Sequence, residues 1–321
     1  MHCSEVNVVE RSAVTNGSHW ARLCGGARAL FIAAALGTPL ILTGQGQPPP
    51  TPGQGRGAAQ QGRGGGSEEG RVYGPDGVWW GLDNTPKIPG LPWRIHDANR
   101  PQPPVVKPPA KPGDPPGDAI VLFAGKDLSA WGVRGQDGTL ATAGWPITEG
   151  FVTAGRGTLT TRESFGDVQL HVEFAMPSTI NGTSQSRGNS GLIFMGQYEL
   201  QLLDSYNNRT YADGMAASIY AEWPPMVNIA APPGDWQTLD VVFEAPRFGG
   251  TALLAPAYLT VFWNGAVVHN RQTIAGPTSL LTVHQYTPHA PELPLSIQGR
   301  SPVKFRNMWI RRVKGYDQGV P

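Results

Sequence analysis

Glu199, Gln201 and Asp204 are the residues through which this chain could do chemistry. They close the stretch Arg187 to Asp204, Arg-Gly-Asn-Ser-Gly-Leu-Ile-Phe-Met-Gly-Gln-Tyr-Glu-Leu-Gln-Leu-Leu-Asp, which reads as two neighbouring strands. Glu199 and Gln201 alternate with Leu200 and Leu202, the period of two expected of a strand with one buried face. Unbroken alternation puts Leu203, not Asp204, on the polar face. A one-residue bulge after Leu202 returns Asp204 to the side of Glu199 and Gln201, and bulges are common beside active sites. Three polar side chains then line one concave groove. Two carboxylates so placed could serve as acid and base or as metal ligands, and the amide between them could bind a hydroxyl or the metal. Such a face suits a sugar-binding sheet better than a purely structural one.

The elements that must hold this groove are strands. Val168, Leu170, Val172 and Phe174 alternate with Gln169, His171 and Glu173. Leu239, Val241 and Phe243 lie one apart in a second such run. Leu259, Val261 and Trp263 lead into Asn264-Gly265, a strong signal for a two-residue hairpin turn, and Val267 and Val268 begin the return strand. Val303, Phe305, Trp309 and Ile310 mark a last strand. No segment carries a long helical period. Gly and Pro separate the strands at short intervals, as in sandwiches and jelly rolls. The expected fold is all-β, one domain over residues 119–315.

The flanks have another composition. Of 321 residues, 42 are Gly and 31 Pro, and this excess gathers before Ala119, so the folded part is smaller than the length suggests. The formal net charge is +1 and no basic block stands out, which argues against a nucleic-acid partner. Residues 1–46 resemble an export signal: Arg22 and Arg28 precede the apolar run Ala29 to Leu42, which is too short to span a bilayer comfortably. No membrane span is expected once it is removed, and the expected location is periplasmic or secreted. Cys3 and Cys24 both lie in this segment, so the mature protein has no disulfide or thiol nucleophile. Residues 47–118 read as a Pro/Gly-rich linker, disordered at first, with an aromatic arm at 71–100 carrying Trp79, Trp80 and Trp93 and a polyproline-like spacer at 101–118.

Several blocks resemble, in order, the 3-keto-disaccharide hydrolase family. They are Leu122-Phe-Ala-Gly-Lys-Asp-Leu-Ser-Ala-Trp131, Trp145 to Gly150 followed by Leu159-Thr160-Thr161, Asn189-Ser190-Gly191, Tyr198 to Asp204, Asn264-Gly265 and Phe305-Arg306-Asn307. The resemblance implies a concanavalin-like jelly roll with a sugar groove on its concave face. It also implies an exported bacterial enzyme in which a ketone at C3 of the substrate acidifies the C2 proton. A base removes that proton, the C1 substituent leaves by elimination, and water adds back. Such a site needs a base near C2, positive charge near the developing oxyanion and a donor at the leaving oxygen. A divalent metal could supply the second. Glu199-x-Gln201-x-x-Asp204 also looks like the Glu-x-Asp-x-x-Glu strand of laminarinase-type glycosidases, where two carboxylates act as nucleophile and acid/base. A non-catalytic glycan-binding module on the same fold is the other alternative.

The candidate catalytic residues are Glu199, Asp204 and His289, with His284 joining Glu199 and Asp204 as metal ligands. His284 and His289 flank Tyr286 in a loop before the Leu295 strand, and a histidine titrates in the useful range. Arg187, Asn189, Gln201 and Tyr220 are candidates for binding the sugar, with Tyr220 and Trp223 as an aromatic platform. His171 is expected to be structural and His269 exposed. In one place the chain departs from the family: many members carry Leu-Gln-Asp-His-Gly where this one has Ile297-Gln298-Gly299-Arg300-Ser301.

Overall fold

The computed structural model describes residues 69–135 and 138–317. The leader expected at 1–46, with both cysteines, and linker residues 47–68 lie outside the described residues. In chain order the strands are β1 (Arg71–Tyr73), β2 (Trp79–Leu82), β3 (Ile120–Phe123), β4 (Trp131–Arg134), β5 (Leu140–Thr142) and β6 (Ile147–Thr148). Next come β7 (Phe151–Thr153), β8 (Gly157–Phe165), β9 (Val168–Ala175), β10 (Asn189–Phe194), β11 (Tyr198–Leu203) and β12 (Trp236–Glu244). The last are β13 (Arg247–Gly249), β14 (Ala252–Ala255), β15 (Tyr258–Trp263), β16 (Ala266–Thr273), β17 (Leu293–Gly299) and β18 (Lys304–Arg312). Two single-turn 3-10 helices, Ser184–Ser186 and Ala212–Gly214, are the helical elements among the described residues.

Two antiparallel sheets form a jelly-roll sandwich. One runs β11-β10-β17-β8-β4-β5, the other β16-β15-β12-β9-β18-β7-β6 with β3 also on β18. Alternation puts the apolar side chains between them. Leu170, Val172, Val241 and Leu259 come from the larger sheet and Leu159, Leu192, Leu200 and Ile297 from the smaller, in one core cluster. Across the interface the Phe194 ring stacks on Phe243 at 4.9 Å, and Tyr198 lies 5.7 Å from the same ring. Each such buried side chain contributes about 1.5–3 kcal/mol, and no cysteine lies among the described residues. Asn264 and Gly265 take φ of 49° and 82°, the paired positive values of a type I′ turn, and join β15 to β16 as expected.

Residues 71–82 make a hairpin of β1 and β2. Trp93 Nε1 and Arg100 Nε both donate to the Asp317 carboxylate, at 2.9 and 2.7 Å, and so hold 93–100 to the last described residues. The stretch 101–118 is more than a spacer. The Gly113 carbonyl accepts from Asn307 Nδ2 at 2.8 Å and Trp309 Nε1 at 2.9 Å, which fastens it against β18. No helix among the described residues is long and apolar enough to cross a membrane.

Candidate functional site

The site lies on the outer face of the six-stranded sheet, where register fixes which side chains meet. Glu199 pairs with Ile193, Ile193 with Ser296, Ser296 with Thr160 and Thr160 with Gly132. Beside this row runs a second, in which Gln201 pairs with Gly191 and Gln298 with Thr158. The intervening side chains Leu200, Leu192, Ile297 and Leu159 point the other way, into the core. Two rows of largely small and polar groups therefore cross the sheet, the first over five strands and the second over four.

Glu199 is the charged centre of this face. A Cβ on Gly191 would lie 2.4 Å from its Oε1, so its carboxylate leans over the bare backbone of the neighbouring strand. Burial there pushes the carboxyl up from its ordinary 4.5 to about 7, against the opposing pull of the Arg300 charge and a hydrogen bond from Gln298. Tyr220 belongs to the segment that covers the sheet edge: Tyr220 N donates to Glu199 O at 3.1 Å and Ala217 N to Gln201 O at 2.8 Å. Its phenol shares a 2.8 Å hydrogen bond with the Tyr211 hydroxyl. Burial, then that bond, then the nearby charge of Glu199 hold the Tyr220 phenol well above its usual range. A carboxylate poised near neutrality, an arginine and a phenol thus share one place.

Around them is a set of amides. Asn189 Nδ2 donates to Gln185 O at 3.1 Å, and Gln201 Nε2 to Gln185 Oε1 at 3.2 Å. Asn189 and Gln201 are 5% and 1% exposed. Their oxygens, Asn189 Oδ1 and Gln201 Oε1, and Gln298 Oε1, are buried with no donor among the described residues. Buried acceptors of this kind cost stability unless something donates to them. Three on one face match the hydroxyl donors of a sugar.

Asp204 is not part of this arrangement. The ladder between β10 and β11 is regular from Asn189–Leu203 to Phe194–Tyr198, and Asp204 N continues it to Gly188 O at 2.7 Å. The expected bulge is absent, so Asp204 keeps the alternation of Leu200 and Leu202. Its Oδ2 accepts from Arg187 Nε at 2.9 Å and Nη2 at 2.5 Å, with both residues buried. Arg187 is thereby committed to Asp204 and, through Nη1, to Tyr206 O, and is not offered to a ketone.

The histidines are elsewhere too. His289 Nε2 bonds the Tyr198 hydroxyl at 2.7 Å, and Tyr198 alternates with Glu199 and faces the core, so His289 is on the wrong side of β11 to act with it. His284 is buried, with Nδ1 3.1 Å from Glu222 Oε2 and Nε2 3.1 Å from Ser279 O. Glu222 Oε1 accepts from Ala275 N and Trp223 Nε1, so this cluster clasps two loops together. His269 is buried rather than exposed, its Nε2 2.8 Å from Ala217 O. His171 is structural as expected, 2.7 Å from Asp240 Oδ1 and stacked on Trp309.

A divalent metal held by Glu199, Asp204 and His284 does not fit these positions. Among the described residues no three His, Cys, Asp or Glu side chains gather as a metal-binding group. Hard cations take carboxylate-rich oxygen shells. Glu199 offers one carboxylate, and its electrostatic neighbour is Arg300. Gln185, Gln298 and Arg300 are the residues that sequence reading passed over. Gln298 shows the same polar alternation as Gln201, a signal that could have found it. Arg300 is visible in the sequence only as a departure from a family pattern.

Comparison with known proteins agrees with the fold. A protein from Parabacteroides distasonis, provisionally named a glycosyl hydrolase, is 38% identical over 70% of this chain and 99% of its own, with a TM-score of 0.64. A second protein of that organism with the same provisional name is 18% identical over 61% of this chain and 94% of its own, with a TM-score of 0.45. An alginate lyase bound to an alginate tetrasaccharide is 11% identical over 61% and 98%, at 0.35. These last two are too distant to inform the site. No curated protein matches. The model of the 3-keto-α-glucoside-1,2-lyase-like domain matches residues 118–311, which is most of the described chain and contains every residue of the site. The chain belongs to the 3-keto-α-glucoside-1,2-lyase-like family.

Proposed function

We propose that this protein cleaves 3-keto-glycosides or 3-keto-disaccharides by removing the C2 proton and eliminating the C1 substituent, with Glu199 as the base. The observation that carries this is the lone carboxylate, raised to about 7 by burial and set beside an arginine. A base poised near the working pH suits proton abstraction next to a ketone. In the first step the C2–H bond breaks, the proton passes to Glu199, and the electron pair moves into an enolate with its charge on the C3 oxygen. Arg300 supplies the positive charge that stabilises this oxyanion. The enolate then collapses. C1=C2 forms, the C3 ketone returns, and the C1–O bond breaks with a proton given to the leaving oxygen. Tyr220, its phenol kept protonated, is the donor. Addition of water across C1=C2 completes a net hydrolysis. Asn189, Gln201 and Gln298 accept from the sugar hydroxyls and fix the ring. The expected leader makes the enzyme an exported one.

An ordinary glycosidase needs two carboxylates flanking the bond. Asp204, the expected second, is tied to Arg187. The test is incubation of a 3-keto-disaccharide with the protein in D2O. Deuterium at C2 with release of the second sugar, both lost in Glu199→Gln, is the expected result. Cleavage of the unoxidised disaccharide at a similar rate would overturn the mechanism. Binding without turnover of either would make the chain a glycan-binding module.

A further inference from the structure

The aromatic arm at 71–100 lies outside residues 118–311, which the family model matches, and the chemistry above makes no use of it. It is nonetheless ordered by its own contacts. Leu82 N donates to His96 O at 2.7 Å and Ala98 N to Leu82 O at 3.3 Å, so 96–98 runs beside β2. Trp93 and Arg100 fasten it to Asp317. On this frame Tyr73, Val78, Trp79 and Trp80 are each about half exposed. Large apolar side chains left in solvent on one short hairpin are the kind of surface that marks a binding site. A Cβ on Gly74 would lie 2.2 Å from Trp80 Cε2, so the Trp80 indole rests against bare backbone and is held there. Trp80 also borders two clefts, of about 400 and 430 Å³. Arg100 and Gln102 line both, Arg94 and His96 the first, and Trp79 and Ala98 the second.

We propose that Trp80 and the clefts beside it form a second carbohydrate site, separate from the Glu199 face, which binds a neutral polysaccharide chain. A pyranose has flat C–H faces and hydroxyls at its rim, and is matched by an aromatic plane with polar groups around its edge. Trp80 gives the plane. The exposed Gln102 amide can both donate and accept. Arg94 Nη1 donates to Thr85 O at 2.6 Å, which fixes the guanidinium while its other N–H groups stay available to hydroxyls. Charge selects the class of chain. Arg100 Nε lies 2.7 Å from the Asp317 carboxylate, and Asp97 Oδ2 accepts from Arg94 N at 2.9 Å. Each guanidinium of the clefts thus has a carboxylate beside it, and an anionic polymer gains little there. Two clefts that share Trp80, Arg100 and Gln102 suit adjoining units of a polymer, with one ring stacked on the indole. Bound there, the polymer keeps the domain of residues 118–311 at its surface.

The test is co-sedimentation of the whole protein with insoluble cellulose, chitin, starch and β-1,3-glucan, with polygalacturonate as the anionic comparison. At least one neutral polymer should retain the protein. Its affinity should fall at least tenfold in Trp80→Ala, as expected when a central aromatic anchor is removed. Glu199→Gln, altered on the other face, should bind as wild type does. Should Trp80→Ala fail to fold, Gln102→Ala at an exposed position takes its place, with a loss of about threefold. Retention by none of the neutral polymers would overturn the proposal. So would tighter binding to polygalacturonate, or equal binding by wild type and the arm variant. Binding lost in Glu199→Gln and kept in Trp80→Ala would place the polymer on the Glu199 face and overturn it as well. None of these outcomes depends on the eliminating reaction.

Discussion

Glu199→Gln should make this protein inactive and, above neutral pH, more stable. Burial raises the Glu199 carboxyl from 4.5 to about 7, which penalises the charged form in the folded state. At about 1.4 kcal/mol per pH unit this amounts to roughly 3 kcal/mol, and partial contact with solvent brings it nearer to 2. The pH window follows from the two values. Below about 4.5 the group is neutral folded and unfolded, and costs nothing. Between about 4.5 and 7 the folded state holds a proton that the unfolded state has lost, so stability falls as pH rises. Above about 7 both states are charged and the full penalty stands. Glutamine is neutral throughout. Thermal unfolding should therefore show wild type and variant alike at pH 4, and the variant higher by roughly 4–8 °C at pH 8. Turnover of a 3-keto-disaccharide should meanwhile be abolished. A variant no more stable than wild type at pH 8, or a gap that does not change with pH, would refute the claim that this carboxylate is held desolvated for chemistry. The experiment needs no knowledge of the natural sugar.

Other perturbations separate the roles assigned above. Gly191→Ala places a Cβ 2.4 Å from Glu199 Oε1 and should cut kcat about a hundredfold by displacing the carboxylate, with a circular dichroism spectrum like wild type. Arg300→Gln removes a charge that lowers the Glu199 pKa, so the rising limb of the pH–rate profile should move to higher pH as kcat/KM falls. Asp204→Ala strands the buried Arg187 charge and should destabilise the protein by about 3–5 kcal/mol, while the kcat of the folded fraction stays within threefold of wild type. His289→Ala removes a partner of Tyr198, and its kcat should stay within twofold.

The sandwich was legible because its strands obey one rule throughout. Leu239, Val241 and Phe243 are buried where period two puts them, and Asn264-Gly265 turns where its φ preferences allow. The same rule finds Glu199 and Gln201. Asp204 joins them only through a bulge after Leu202, and the ladder there is regular. A buried aspartate satisfied by a buried arginine looks the same in sequence as a catalytic one, because both are charges among apolar neighbours. Only the distance to Arg187 tells them apart. Loop histidines pose the same difficulty. His284 and His289 have suitable chemistry, but the partners that occupy them, Glu222 and Tyr198, are 62 and 91 residues away in the chain. Gln298 and Arg300 escaped because they gain meaning from the strand beside them, and register between distant strands is not written in either one.

The Gly299-Arg300 departure and the isolation of Glu199 belong to one design. A Cβ on Gly299 would come within 2.1 Å of Gly155 O and 2.2 Å of Gly157 O, so β17 must pass that point as glycine. Larger residues in place of this glycine would push β17 off β8 and carry Gln298 away from Glu199. Arg300 follows immediately, and its charge reaches both Glu199 and Tyr220. An arginine stays protonated throughout the useful pH range. It cannot take a proton from C2, but it can stabilise the enolate that results. In the proposed reaction the work of the base then falls to Glu199, whose carboxyl burial brings to about 7. A retaining or inverting glycosidase would need a second carboxylate on this face. An eliminating enzyme needs one base, one fixed positive charge and one proton donor, the roles proposed above for Glu199, Arg300 and Tyr220.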